Sequence, residues 1–374
     1  MKYFEYNTEL TMEYEAVFLD IETTGLKKET ALLTVLGCGY KKEGTLHIVQ
    51  WFNDDAISEE AILSSFYDLM KSISGPIITF NGGQFDLPFL KTHFDYNDLP
   101  VAWLEERPGF DLYRFLRGYV SLLDLENGKQ KAWEYYLGIG REDQLSGRTL
   151  ISFYKKYLKE KKEEMESLIL LHNKEDVEGL FSLMPLLSLE QLQKEEFEII
   201  DLKEDQWMEK AAITFTIELK DSLAKSFSVT GNTGIFTMQD KRRATVTLPI
   251  IEDKLYHFYD NYQDYYYLPL EDRAIHKSIG SYVDKEHRKK ASAKTCYVSE
   301  ESVFLPIPEN AKGYGFEVSF QKTSVLAAYK RNYESSHYYL NFNDLIVGDH
   351  LSDECRHYLG QIIQAIFLEK IRQE

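Results

Sequence analysis

The stretch Phe18-Leu19-Asp20-Ile21-Glu22-Thr23-Thr24-Gly25 decides the fold prediction, because an apolar run ends here in two acidic residues and a turn. Residues 16–21 predict a short strand, and Asp20 and Glu22, two positions apart, point to the same face of it. Both lie at the C-terminal end of the strand, where open α/β sheets place their ligands. The turn that follows lets the backbone approach a phosphate or a sugar. Taken alone, the pattern fits a strand end with two solvated acids equally well.

Two further acidic motifs follow in the same half of the chain. Asn81-Gly82-Gly83-Gln84-Phe85-Asp86 comes directly after a predicted strand at residues 77–80, so that Asp86 would open the next helix. His172 and Asp176 lie four apart in a predicted helix and therefore share one of its faces. Each motif also has an ordinary structural explanation, since aspartate caps helices and i,i+4 pairs are common on solvated helix faces.

The four carboxylates of these motifs would repel one another if they came together. At ~4 Å and an effective dielectric constant near 20, each pair of like charges costs about 4 kcal/mol. Divalent metal ions remove that cost and prefer oxygen ligands. The conjunction of three motifs therefore predicts a metal centre made of Asp20, Glu22, Asp86 and Asp176.

The order of predicted elements favours a mixed sheet in this half of the chain. Three strands joined by short turns, followed by strands that alternate with helices, predict an α/β fold whose sheet is flanked by helices. A ribonuclease-H-like fold has this order of elements.

The three motifs resemble the exonuclease motifs of the DEDD superfamily of 3′–5′ exonucleases, which have a ribonuclease-H-like fold. The resemblance covers about residues 15–190, and it is strongest to a branch of predicted exonucleases found in bacteria. It implies a phosphodiester hydrolase that acts at the 3′ end of single-stranded DNA or RNA with two ions, Mg²⁺ or Mn²⁺. It also implies that substrate lies near the following residues: Thr23, Thr24, Gly25 and Asn81.

His172 is the candidate general base, because histidine titrates near neutral pH. The two well-known subclasses have a histidine five residues or a tyrosine four residues before the last aspartate, whereas His172 lies four before Asp176. The alternative is that His172 only packs beside the metal ions. In the two-metal scheme that the resemblance implies, Asp20, Glu22 and Asp176 hold the ion that activates water. Asp86 holds the ion at the leaving 3′-oxygen, and Asp20 bridges the two.

Length and composition bound the class of protein. The chain has 374 residues, 44% hydrophobic and 28% charged, which is ordinary for a globular protein. We predict two domains, the α/β domain at residues 1–190 and an α+β domain at residues 195–374. The net charge of −18 argues against broad, charge-driven coating of nucleic acid, but a nuclease that holds metal ions needs acidic residues.

Neither a membrane span nor a signal peptide is predicted. No apolar run approaches the ~20 residues that cross a bilayer, and the first residues lack the apolar core of a leader. We therefore expect a cytoplasmic protein without a membrane partner.

The second half contains one basic segment. Residues 273–294 hold seven lysines and arginines against two acids, and Tyr265-Tyr266-Tyr267 lies just upstream. Cations beside aromatic rings suit single-stranded nucleic acid, which makes Lys289 and Lys290 candidate substrate contacts. A solvated surface beside a tyrosine-rich core strand explains the pattern equally well.

Two other functions compete with the exonuclease. One is a catalytically silent module that binds nucleic acid or a protein, and the other is an endonuclease on the same fold. A silent copy has no reason to keep four carboxylates together, which speaks against the first. The sequence favours neither DNA nor RNA as the substrate.

Overall fold

The computed structural model describes residues 1–320, 326–347 and 350–373. The chain divides into two compact units, Met1–Leu187 and Ser188–Glu374. Within the described ranges, no helix combines the length and the apolar character needed to cross a membrane. Cys38, Cys296 and Cys355 are buried free thiols.

The first unit is a mixed six-stranded sheet flanked by helices, which confirms the predicted fold class of this half. Its strands are β1 (Lys2–Thr11), β2 (Val17–Thr23), β3 (Leu33–Lys42), β4 (Thr45–Phe52), β5 (Ile77–Thr79) and β6 (Gly109–Asp111). Its helices are α1 (Glu59–Met70), α2 (Asp86–Tyr96), α3 (Ala102–Glu106), α4 (Leu112–Leu116), α5 (Gln130–Leu137), α6 (Gly147–Glu160) and α7 (Glu163–Leu183). Short 3₁₀ turns follow α4 and α7, at Arg117–Tyr119 and Met184–Leu189.

The strand order of this sheet is β1-β4-β3-β2-β5-β6. Neighbouring strands from β1 to β2 pair antiparallel, whereas β2 pairs parallel with β5, and β5 with β6. β2 therefore lies where the antiparallel and parallel halves of the sheet meet. Because β2, β5 and β6 run in the same direction, the residues that follow their C-terminal ends meet at one edge of the sheet.

Alternation along β2 sends its side chains to two different layers. Leu19 and Ile21 lie in the apolar core that α1 and α2 cover. Phe18 and Asp20 point the other way, toward α7. There the ring of Phe181 meets Phe18 edge to face, with centroids 5.6 Å apart. The same period of two that buries the strand therefore directs its acidic residues at α7.

Strand β1 was not expected from the sequence. It pairs with β4 at the edge of the sheet, from Lys2 opposite Phe52 to Thr11 opposite Thr45. Most of its side chains are exposed or half-buried, so its sequence lacks the apolar run that marks an inner strand.

The second unit is rich in strands and ends in a long helix, in agreement with the predicted α+β class. Its earlier strands are β7 (Phe197–Trp207), β8 (Lys210–Leu219), β9 (Ser228–Thr230), β10 (Ile235–Met238), β11 (Arg243–Pro249), β12 (Ile251–Phe258), β13 (Tyr265–Leu268), β14 (Arg273–His276), β15 (Lys289–Lys290) and β16 (Tyr297–Pro306). The later strands are β17 (Ala311–Gly313), β18 (Phe316–Val318), β19 (Ala328–Tyr329), β20 (Tyr339–Asn341), β21 (Ile346–Val347) and β22 (His350–Leu351). The helices are α8 (Glu190–Gln193), α9 (Lys277–Gly280) and α10 (Asp353–Arg372).

Three sheets of three or more strands organise this unit. Their orders are β7-β8-β11-β10-β9, β12-β16-β20-β19 and β14-β13-β15. Helix α10 begins after the N-cap Ser352, whose side chain accepts a hydrogen bond from the Cys355 N–H, and it is buried along most of its length. The sequence predicts this helix by an apolar stripe made of Cys355, Leu359, Ile362, Ile363, Ile366 and Phe367.

Candidate metal centre

Asp20 and Glu22 stand at the end of β2, on the side of the sheet that α7 covers. Asp20 Oδ2 accepts a hydrogen bond of 2.8 Å from Asn173 Nδ2 on α7. Asn173 Oδ1 in turn accepts one of 2.6 Å from Gln50 Nε2 on β4. The amide of Asn173 therefore fixes the Asp20 carboxylate relative to two strands and the helix.

Asp86 reaches the same edge of the sheet from the start of α2. Its side chain is almost wholly buried, and its Oδ1 accepts a 3.2 Å hydrogen bond from the backbone N–H of Ile21. Ile21 lies between Asp20 and Glu22 in β2, so this bond joins the second acidic motif to the first. Asp86 is thus tied to the sheet as well as placed in the first turn of a helix.

The loop that leads to Asp86 is held by Asp111. The backbone N–H of Asn81, which has φ +65°, donates to Asp111 Oδ1 at 2.8 Å, and the Gly83 N–H donates to Asp111 Oδ2 at 3.4 Å. Asp111 also caps α4, where its side chain accepts from the N–H groups of Tyr113 and Arg114. One carboxylate therefore sets the shape of the loop and the start of the helix.

Helix α7 brings His172 and Asp176 to the acids of β2. His172 Nε2 lies 3.3 Å from Glu22 Oε1 and 3.3 Å from Asp176 Oδ2. One ligand atom from each of the three residues lies within 4.8 Å of the others, a spacing that can hold a metal ion. The i,i+4 spacing on the helix face accounts for the His172–Asp176 half of this group.

A loop after α5 supplies charged partners to both α7 residues. Asp143 Oδ2 lies 2.6 Å from His172 Nδ1 and 2.7 Å from Lys131 Nζ. Arg141 Nη2 lies 2.6 Å from Asp176 Oδ1 and also pairs with the buried Glu134. Each of the two α7 side chains is therefore fixed on one side and presents its other atom to the centre.

These partners were missed by the sequence predictions. Arg141, Asp143 and Asn173 were not among the predicted site residues. One feature of the sequence could have indicated two of them. Arg141 and Asp143 carry opposite charges two residues apart in a short loop, and buried charged groups need partners.

Burial and mutual repulsion raise the pKa values of the carboxyl groups at the centre. Burial raises the pKa of Asp20 well above its usual value, and the negative charges of Asp176, Asp86 and Glu22 raise it further. Glu22 has a strongly raised pKa for the same reasons. Burial raises the pKa of Asp86 to about 7, although the Ile21 N–H lowers it in part. A divalent cation stabilises the charged forms, so this donor set fits such an ion.

The remaining predicted site residues lie in two places. In the turn after β2, the Thr23 hydroxyl donates to the Gly25 carbonyl at 2.8 Å, and the Thr24 hydroxyl accepts from the Leu32 N–H at 2.8 Å. The turn hydroxyls therefore shape the backbone beside Glu22. Lys289 and Lys290 lie in the second unit, exposed on β15, which pairs with β13.

The comparisons with known proteins agree with this fold. Residues 17–188 match the family model RNase_H_2, described as RNase_H superfamily. The match lies almost wholly within the first unit, whose sequence resembles that of the ribonuclease H superfamily. No curated protein sequence matches the chain.

Several solved structures resemble the chain at low sequence identity. The family B DNA polymerase from the archaeon Pyrobaculum calidifontis is 12% identical with a TM-score of 0.40, over 68% of this chain and 35% of that chain. The zinc-bound complex of E. coli ExoI with single-stranded DNA is 13% identical with a TM-score of 0.31, over 55% of this chain and 54% of that chain. E. coli exonuclease I in complex with a dA16 oligonucleotide is 12% identical with a TM-score of 0.30, over 56% of each chain. The chain thus matches about a third to a half of the length of these proteins.

Proposed function

We propose that this protein is a metal-dependent 3′–5′ exonuclease of the DEDD type that hydrolyses phosphodiester bonds of single-stranded DNA or RNA. The observation that carries the proposal is the convergence of Glu22, His172 and Asp176, whose ligand atoms lie within 4.8 Å of one another. Asp20 and Asp86 stand beside them, and the charge of Asp86 helps to raise the pKa of Asp20. The order of these residues along the chain is the order of the DEDD motifs.

Four carboxylates would hold the ions. Asp20, Glu22 and Asp176 are assigned to one Mg²⁺ or Mn²⁺, and Asp20 and Asp86 to a second. When bound, such a pair of ions supplies an activated water and stabilises the leaving 3′-oxygen. Asn173 and the Ile21 N–H hold Asp20 and Asp86 in place for this task.

His172 is assigned the role of general base. We assign the ring proton to Nδ1, which then donates a hydrogen bond to Asp143 Oδ2. Nε2 is therefore the ring atom that faces the centre. Nε2 lies 3.3 Å from oxygens of both Glu22 and Asp176. Because Nδ1 carries the proton of the neutral ring, Nε2 has the free lone pair and could accept a proton from a water molecule at the centre.

We assign further contacts with the nucleic-acid strand to residues in both halves of the chain. The turn of Thr23, Thr24 and Gly25 and the Asn81 loop flank the acids, so we assign them to the end of the strand that is cleaved. We assign residues 1–190 to catalysis and residues 195–374 to a domain whose Lys289 and Lys290 guide the strand.

The substitution Asp20→Ala tests the proposed activity. A single strand labelled at its 5′ end and incubated with Mn²⁺ should shorten progressively from its 3′ end. The variant should lose more activity than the ~100-fold that removal of an outer partner of a metal ligand causes, because Asp20 bridges both ions. Asp95→Ala, which removes an exposed acid from α2, is the matched control and should cleave like the natural protein.

Three results would contradict the proposal. An internal cut in the labelled strand would favour the endonuclease. A strand that stays intact with every metal and with both DNA and RNA would favour the silent binding module. Undiminished cleavage by the folded Asp20→Ala variant would show that the centre is not where hydrolysis occurs.

A further inference from the structure

A cavity of about 680 Å³ lies beside the loop that carries Asn81. The residues that line it include Asn81, Gly83, Gln84, Asp111, Arg114 and Arg117. The volume falls within the roughly 300–1,000 Å³ typical of ligand sites in proteins. It therefore has room for one nucleotide.

The cavity adjoins the proposed metal centre through a short stretch of backbone. Gln84 lies two residues before Asp86, and the N–H groups of Asn81 and Gly83 are fixed by Asp111. Asp111 also fixes the start of α4, which presents Arg114. The loop and the arginine are thus held in one geometry by a single carboxylate.

The mouth of the cavity is positively charged. Arg114 and Arg117 are both exposed and lie three residues apart, at the end of α4 and in the turn that follows. In the part of the chain that the structure describes, neither arginine forms an ion pair, whereas Arg107 and Arg141 of the same unit bond to other groups of the protein. Two free guanidinium groups in a chain of net charge −18 are suited to bind phosphate.

Aromatic rings complete the wall. Phe110, Tyr113 and Phe115 line the cavity. Tyr113 lies against Phe80 with ring centroids 5.7 Å apart, and Phe115 lies against Phe110 at 6.0 Å. Rings supported by other rings give stable faces on which a base stacks, and stacking of this kind tolerates any base.

We propose that this cavity binds one nucleotide of the single strand away from the bond being cleaved, with Arg114 and Arg117 on its phosphates and the aromatic rings beside its base. The proposal rests on the proposed exonuclease function, since it concerns how the same strand is held. The site supplies affinity that does not depend on metal ions, because its phosphate-binding groups are arginines, while the carboxylate of Asp111 is occupied by backbone N–H groups.

The test is strand binding in EDTA, where no cleavage occurs. Fluorescence anisotropy would follow a labelled 12-nucleotide oligothymidylate with the natural protein and with R114Q/R117Q. The expected result is an affinity lower by about tenfold or more, with the slope of log K against log salt smaller by about 1.4, since each phosphate contact contributes about 0.7 for a single strand. R148Q/K155Q removes the same charge from exposed positions of α6 and is the matched control, with binding unchanged.

A second variant separates charge from fold. R114K/R117K keeps both positive charges and should restore most of the salt slope, while equal thermal unfolding temperatures show that all variants are folded. If the natural protein binds and shortens the strand, but R114Q/R117Q binds it as tightly as the control variant does, the proposed nucleotide site is wrong and the proposed function still stands. Failure of the natural protein to bind or shorten any strand would overturn the proposed function together with it.

Discussion

His172 has carboxylate neighbours at both of its ring nitrogens. Nδ1 lies 2.6 Å from Asp143, while Nε2 faces Glu22 and Asp176. Asp143 is itself fixed, because its Oδ1 accepts from the Leu145 N–H at 2.9 Å. Burial acts to raise the pKa of Asp143, but Lys131 and the Leu145 N–H outweigh it, so that its pKa is lowered. Asp143 therefore remains a carboxylate and orients the imidazole.

Asp143→Asn should weaken catalysis without unfolding the protein. The ring loses its charged acceptor, and we expect kcat to fall about 10–100-fold, the usual effect of losing an outer partner at a metal site, with KM unchanged. Steady-state cleavage of the labelled strand with Mn²⁺ measures both constants. Glu142→Gln, at the exposed neighbouring residue, is the control. Equal kcat values for the two variants, at equal unfolding temperatures, would remove the positioning role.

The residues of the centre differ in how far the sequence predicts them. Asp20 and Glu22 can be predicted as a pair because residues i and i+2 of a strand lie on the same face. His172 and Asp176 can be predicted as a pair because residues i and i+4 of a helix lie on the same face. Asp143 is 29 residues from His172, and no local periodicity joins them. Partners of this kind depend on how a loop returns to the helix, which only tertiary packing determines.

Helix α7 packs closely on the sheet because β3 has glycines opposite it. A Cβ atom on Gly37 would lie 2.2 Å from Asn173 Oδ1, and one on Gly39 would lie 2.8 Å from Val177 Cγ1. Gly37 also pairs with Asp20 across β2 and β3. The missing side chain thus makes room for the amide that holds Asp20.

Gly37→Ala should destabilise the first unit. The added methyl group forces Asn173 out of a buried position, and overpacking of this kind costs about 1–3 kcal/mol in free energy of unfolding. Urea unfolding followed by circular dichroism measures the change. Gly147→Ala places a methyl group where nothing lies within 4 Å and should not lower stability. The packing explanation fails if the two variants unfold at the same urea concentration.

The elements were predictable where burial is regular. The inner strands β2 to β5 and the helix α10 carry continuous or periodic apolar residues, and the sequence indicated all of them. β1 and β7 were missed because both are edge strands with mostly exposed side chains. An edge strand is defined by its hydrogen bonds to a neighbour, which leave little trace in composition.

At the scale of the whole molecule, the chain is acidic, whereas the substrate of the proposed function is a polyanion. The basic segment of residues 273–294 is the local exception to the net charge of −18. The tyrosines just upstream of it pack within the second unit, since Arg288 covers the ring of Tyr266 at 4.6 Å and Tyr265 stacks on Tyr259 at 4.7 Å. Lys289 and Lys290 are exposed and, among the residues described, make no ion pair.

Lys289→Gln with Lys290→Gln should therefore weaken binding of the strand and flatten its salt dependence. Two lost phosphate contacts reduce the slope of log K against log salt by about 1.4. Titrations between low and physiological salt, with EDTA present, measure it. Lys210→Gln with Lys241→Gln removes equal charge from exposed positions of the same unit. A slope equal to that of this control would assign the segment a structural role.

The position of α7 along the chain has a consequence during synthesis. Asp20 and Glu22 leave the ribosome early, but His172, Asn173 and Asp176 all lie on the last long helix of the first unit. A growing chain that lacks α7 exposes the acids of β2 without the histidine or the amide that holds Asp20. Since domains fold as units once their residues are available, the centre forms in a single late event. Under the proposed function, a nascent polypeptide that lacks α7 would not yet have a complete centre with which to hydrolyse the RNA around it.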